Sequence, residues 1–166
     1  MGAPVVLELA SLPEVRCGHF NSLFVMVWRG TVTPESLAKT NEVEQALINQ
    51  YGRISVIGCI TDLGGGVPSA ELRQASADAM RRFMPNVRGT ALIVLAEGAK
   101  AVLFRTFLAG FTLVIDFPSP MKIFKNVSDA VSWVQRMDGQ ELALADGELA
   151  QSVAEFVELS RLSAVR

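Results

Sequence analysis

The sequence predicts an α/β fold in which helices are layered on a mainly parallel core sheet. Three observations carry this expectation. Apolar, strand-like runs alternate with segments of helical period from Phe20 to Met137. The runs Ile54 to Asp62 and Ala91 to Ala96 are apolar at successive positions, as strands covered on both faces are. An opening pair of strands precedes the alternation, giving the order β-β-α-β-α-β-α-β-α and then an extra C-terminal helix.

Taken in order, Val5 to Leu9 is a short strand ended by Ser11-Leu12-Pro13, and Phe20 to Arg29 is a stronger one, aromatic and β-branched, punctuated by Gly30. Between them Cys17, Gly18 and His19 read as a turn or strand edge. Thr33-Pro34-Glu35 is a helix start: the threonine accepts from first-turn N–H groups, proline suits the first helical position, and the glutamate favours the positive end of the dipole. That helix runs to Tyr51 and stops at Gly52. Leu37, Val43, Leu47 and Ile48 form its apolar face, and Lys39, Glu42, Glu44 and Gln45 its solvated one.

After the strand at 54–62, a helix from Ser69 to Met84 buries Leu72, Ala75, Ala79 and Phe83, and Pro85-Asn86 ends it. Ala91 to Ala96 is the next strand, and Glu97-Gly98 turns the chain. Lys100 to Leu113 is an unusually apolar helix, with Arg105 opposite its apolar arc. Met121 to Phe124 is a short edge strand following Pro118 and Pro120. Val127-Ser128-Asp129 opens a further helix, in which Trp133 packs. Residues 1–138 make one α/β domain. Residues 139–166 are a helical extension, with Leu149, Val153, Phe156, Val157 and Ser160 in one stripe, packed on the same domain or on a homodimer partner.

Bulk properties narrow the function. At 166 residues and 50% hydrophobic, the chain supports a single core. Fifteen basic residues against 17 acidic ones give a net charge of −2 without a basic stripe, which argues against a nucleic-acid partner. The start of the sequence lacks a basic region followed by an apolar one, so a cytoplasmic location is expected. The apolar region 91–117 is interrupted by Glu97, Lys100, Arg105 and Asp116, so no transmembrane segment is expected. With two cysteines and one histidine, neither a disulfide framework nor a Cys/His metal site is expected, and no cofactor is implied. Cys59 reads as a buried thiol. An enzyme would have to work through Cys17, its pKa lowered by Arg16 and His19, and no third group can be placed beside them.

The polar candidates gather where the strand at 54–62 passes through Gly64-Gly65-Gly66 into the next helix. Strand carboxyl ends and helix N-termini meet at such junctions, and ligands bind there. No Lys-Ser or Lys-Thr pair follows the glycines, so a nucleotide P-loop is excluded. Asp62, Gly64, Gly65, Gly66, Ser69, Glu71 and Arg73 are the candidates for binding a partner or an anion. Ser69 is either a helix cap or a phospho-acceptor at the positive end of the dipole. The helix at 100–113 has two readings as well. It is a core helix, or its Phe104, Phe107, Leu108 and Phe111 line a site for an apolar ligand.

The segments FVMVWRGTVTPESL, ISVIGCITDL, PSAELR and FKNVSDAVSWV, in this order, resemble the STAS-like (SpoIIAA-like, anti-anti-sigma-factor-like) domains of the stand-alone bacterial type, over about Leu23 to Val134. The resemblance implies a non-enzymatic protein-interaction module in bacterial signalling. In some members it is switched by phosphorylation of a serine or threonine in the loop after the third strand, which aligns with Asp62 to Ser69. The family's Asp-Ser-Ser-Gly stretch is here Gly-Gly-Gly-Val-Pro-Ser. The related CRAL-TRIO lipid-binding proteins share a similar sheet topology, which makes a carrier of a lipid or other hydrophobic ligand the alternative reading.

Overall fold

The computed structural model describes residues 5–65, 68–114, 118–138 and 147–163, without the side chains of 111–114 and 138. The elements are β1 (Leu7–Ser11), β2 (Val15–Phe20), β3 (Leu23–Trp28), α1 (Pro34–Tyr51), β4 (Ile54–Ile60), α2 (Ala70–Phe83), a 3₁₀ turn at Met84–Asn86, β5 (Val87–Val94), α3 (Ala99–Val114), β6 (Met121–Phe124), α4 (Val127–Asp138) and α5 (Glu148–Ser163). They build one six-stranded sheet in the order β1-β2-β3-β4-β5-β6. β1, β2 and β3 pair antiparallel, and β3 to β6 pair parallel. The predicted α/β class with a mainly parallel core sheet is therefore what the chain forms, and β6 is its edge.

The opening differs from the expected strand pair, because the region around Cys17 is itself a strand. Phe20 to Arg29 is not continuous: Asn21 adopts φ 49°, a left-handed turn that folds β2 back on β3 with Phe20 opposite Leu23. Gly18 makes β2 look broken in sequence, yet the fold needs it, since a Cβ there would come within 2.8 Å of both the Phe156 ring and Val6.

Parallel crossovers through α1, α2 and α3 all advance the same way along the sheet, which places these helices on one face. α1 begins as expected: Thr33 Oγ1 accepts from the Ser36 N–H at 3.1 Å, and the Ser36 hydroxyl accepts from the Thr33 N–H at 2.9 Å. It ends at Gly52, whose φ of 75° only glycine adopts easily. α4 and α5 cover the other face. There Leu149, Val153, Phe156 and Val157 of α5 and Val131 and Val134 of α4 close over Leu23, Val25, Ile57 and Ile93.

Two helices on the first face pack otherwise than their sequences suggest. α2 buries only Phe83 among its residues, leaves Leu72 and Ala79 half-buried, and exposes Ala75. In α3, Arg105 points inward and donates to the Val94 and Ala96 carbonyls at 2.9 and 3.1 Å, while Val102, Leu103 and Phe107 are 59%, 70% and 44% exposed. Val94 ends β5 and Ala96 follows it, and one guanidinium serves both carbonyls. The core reading of this helix holds for Ala101, which is buried, and in part for Phe104 and Leu108, and is corrected for Val102, Leu103 and Phe107.

Candidate functional site

At the carboxyl end of β4 the loop is held by its own polar groups. Asp62 Oδ1 accepts from the Gly64 N–H at 2.9 Å, and Thr31 Oγ1 accepts from the Gly65 N–H at 2.7 Å. Gly64 sits at φ 55°, and a Cβ on it would collide with Thr31. Both N–H groups are thereby engaged within the protein. Ser69 caps α2, its Oγ accepting from the Leu72 N–H at 3.2 Å, and the Arg73 guanidinium reaches the Pro68 carbonyl at 3.4 Å. Asp62, Ser69, Glu71 and Arg73 are exposed. Gly66 lies outside the described residues.

Thr31 is the residue that sequence reasoning missed. It follows β3, the parallel neighbour of β4, so its loop and the glycine loop emerge side by side. Strand adjacency was the signal that could have found it. A small cleft of about 80 Å³ joins Thr31, Asp62 and Pro68 to Phe104 of α3. The junction and α3 thus form one surface.

The second feature is a cavity of about 250 Å³ between the sheet and α1, α2 and α3. Its floor is Met26, Trp28, Val56, Thr90 and Leu92, and Met80 and Phe83 of α2 stand over it. Of the three candidate lining residues on α3 whose side chains are described, Leu108 alone reaches it. Phe104 belongs to the cleft, Phe107 is exposed, and the side chain of Phe111 lies outside the description.

Glu44, expected on the solvated face of α1, lines this cavity instead. It is half-buried, and among the described residues it makes no hydrogen bond or ion pair. Burial pushes its carboxyl up to about 7, against a smaller opposing pull from Arg82. The expectation fails because the lightly packed α2 leaves a hollow beside α1, and Glu44 faces it.

Cys17 does not supply a thiolate. It is buried, and desolvation, with Glu44 next, pushes its thiol up to about 12. Arg16, expected to lower it, lies on the opposite face of β2, paired with Glu8 and stacked 4.7 Å from the Phe156 ring. His19 is within 3.1 Å of the Asn21 carbonyl through Nδ1. Among the described residues no cluster of His, Cys, Asp or Glu could hold a metal ion, and no helix is long and apolar enough to cross a membrane.

Compared with solved structures, the chain is similar to an uncharacterized DUF3478-family protein from Shewanella loihica, described as having a SpoIIAA-like fold. The TM-score is 0.53 over 81% of this chain and 98% of that one. The fold is SpoIIAA-like. At 15% identity the likeness is one of architecture. It agrees with the STAS-like resemblance read from the segments between Leu23 and Val134. No family model and no curated protein matches the sequence. Within the SpoIIAA-like frame, Asp62 to Gly65 follow the carboxyl end of β4 and the cavity lies beneath α1 to α3.

Proposed function

We propose that the chain is a non-enzymatic regulatory module of bacterial signalling, cytoplasmic in location, that docks a protein partner at the carboxyl edge of its sheet. The supporting observation is the exposed apolar side of α3. Val102, Leu103 and Phe107 are exposed, Phe104 of the same helix meets Asp62 and Pro68 in the cleft, and Asp62, Ser69, Glu71 and Arg73 are exposed at the junction. An apolar patch rimmed by charge is the usual composition of a docking surface. Phosphate on Ser69 would sit at the positive end of the α2 dipole, adding about two negative charges to that rim. Co-precipitation from the native host tests both parts. Leu103→Asp is expected to lose the partner. Loss with Ser69→Asp and retention with Ser69→Ala support a charge switch, and equal binding by both removes it.

A second reading, a carrier of a hydrophobic small ligand, is favoured by the 250 Å³ cavity. Native mass spectrometry is expected to show a co-purifying mass on the gently purified protein. A clean apo mass under the same conditions counts against it.

A further inference from the structure

We propose that the cavity beneath α1, α2 and α3 is a site for a neutral amphiphile: an apolar body carrying one uncharged hydrogen-bonding head, seated with that head at Glu44. The inference rests on the carrier reading and adds the chemistry of the ligand.

Size and wall chemistry set the body. An apolar cavity of roughly 150 Å³ admits benzene. The 250 Å³ here, walled by methionine, aliphatic and aromatic side chains, takes a chain or ring system of about eight to ten carbons. Methionine walls adapt to shape, and Met26, Met80, Met84 and Met121 all face the space.

Polarity inside the cavity sets the head. Thr40, Asn41 and Glu44 lie within one turn of α1, and Ser76 of α2 joins them in the lining. The Thr40 hydroxyl donates to the Leu37 carbonyl at 2.9 Å, which leaves its oxygen to accept. Glu44 is the one ionisable residue in the lining among the described residues. Its half-buried carboxyl, beside Thr40, Asn41 and Ser76 in a largely apolar lining, is where the hydrogen-bonding groups of the cavity gather.

Charge then excludes two ligand classes. Arg82 of α2 is the charged group that acts on Glu44, and its guanidinium is stacked 4.4 Å from the Phe83 ring. No cation lines the described cavity to receive a carboxylate head, and an ammonium head would require an ion pair to be buried in apolar walls. A protonated carboxyl donates one hydrogen bond and accepts others, so a hydroxyl or carbonyl head fits it without any charge.

The test is a series of equal chain length, octan-1-ol, octane, octanoate and octylammonium, titrated into the whole protein at about pH 6. Binding is read by calorimetry and by Trp28, which lines the cavity. Octan-1-ol is expected to bind at least tenfold more tightly than the other three. Glu44→Leu is expected to bring octan-1-ol down to the level of octane while octane binding persists, and Glu44→Gln, which keeps a donor and an acceptor, to retain the preference. Equal binding of octane and octan-1-ol by the unmodified protein overturns the head assignment and leaves the carrier reading standing. Tightest binding of octanoate or octylammonium overturns it likewise. Binding of none of the four by the folded protein overturns both.

Discussion

The two faces of one sheet are built to different standards. On the α4 and α5 side, side chains from two helices close over the strands in a continuous apolar cluster, with Phe156 seated in the space that Gly18 leaves. On the α1 to α3 side, only α1 is sealed down. α2 contributes one fully buried residue, α3 shows its apolar side chains to solvent, and an ionisable carboxyl faces a hollow. Interiors normally pack to crystal-like density, so a hollow beside a well-packed face is a local property and not general looseness. One face is closed by packing, and the other keeps a hollow.

The sharpest way to break this contrast is truncation on each side. Phe156→Ala is expected to cost about 3–5 kcal/mol, because the ring is closely surrounded and the site cannot collapse. Leu108→Ala, at the edge of the existing cavity, should cost under about 1 kcal/mol. Denaturant midpoints of the two variants check this, and equal losses would show that the faces are alike.

Next in size is the pH response of the hollow face. Glu44 holds its proton up to about 7 in the folded protein, against an ordinary 4.5. Between these values the folded state binds a proton that the unfolded chain has released. This contribution is therefore full below about pH 4.5 and is lost as pH rises through about 7, amounting to at most about 3 kcal/mol. Stability measured across this range should fall more in the parent protein than in Glu44→Gln, and parallel curves would place Glu44 in solvent.

Smaller still is the effect at the carboxyl edge. Thr31→Val removes the acceptor of the Gly65 N–H on an exposed loop and should cost about 1 kcal/mol. Hydrogen exchange is expected to quicken at Gly65 while the amides of β3 and β4 stay protected.

Much of the fold was legible because its signals are local. Thr33, Pro34 and Gly52 bound α1 through caps that act within one turn, Ser69 caps α2, and the unbroken apolar run of β4 reports that both its faces are covered. Legibility failed where a distant group decides. Gly18 weakens β2 in any local reading, and only the arrival of Phe156 explains it. Arg105 looked like the solvent side of an apolar helix until the carbonyls of Val94 and Ala96 claimed it. Glu44 has the sequence surroundings of a surface residue, and its place depends on how loosely α2 sits. At the candidate site the junction was legible in sequence, whereas the cavity was not, since its lining comes from α1, α2, α3 and four strands.

Arg29, at the end of β3, has a further consequence. Its guanidinium donates to Ser11 Oγ and the Leu12 carbonyl beside the first hairpin, and to the Ser160 carbonyl and Ser163 Oγ at the end of α5. The last two lie 131 and 134 residues away along the chain. Contacts so distant in sequence close large loops and form late, so they contribute little to the folding transition state. Arg29 therefore acts as a latch on lifetime: Arg29→Met should speed unfolding in stopped-flow experiments and leave the refolding rate nearly unchanged.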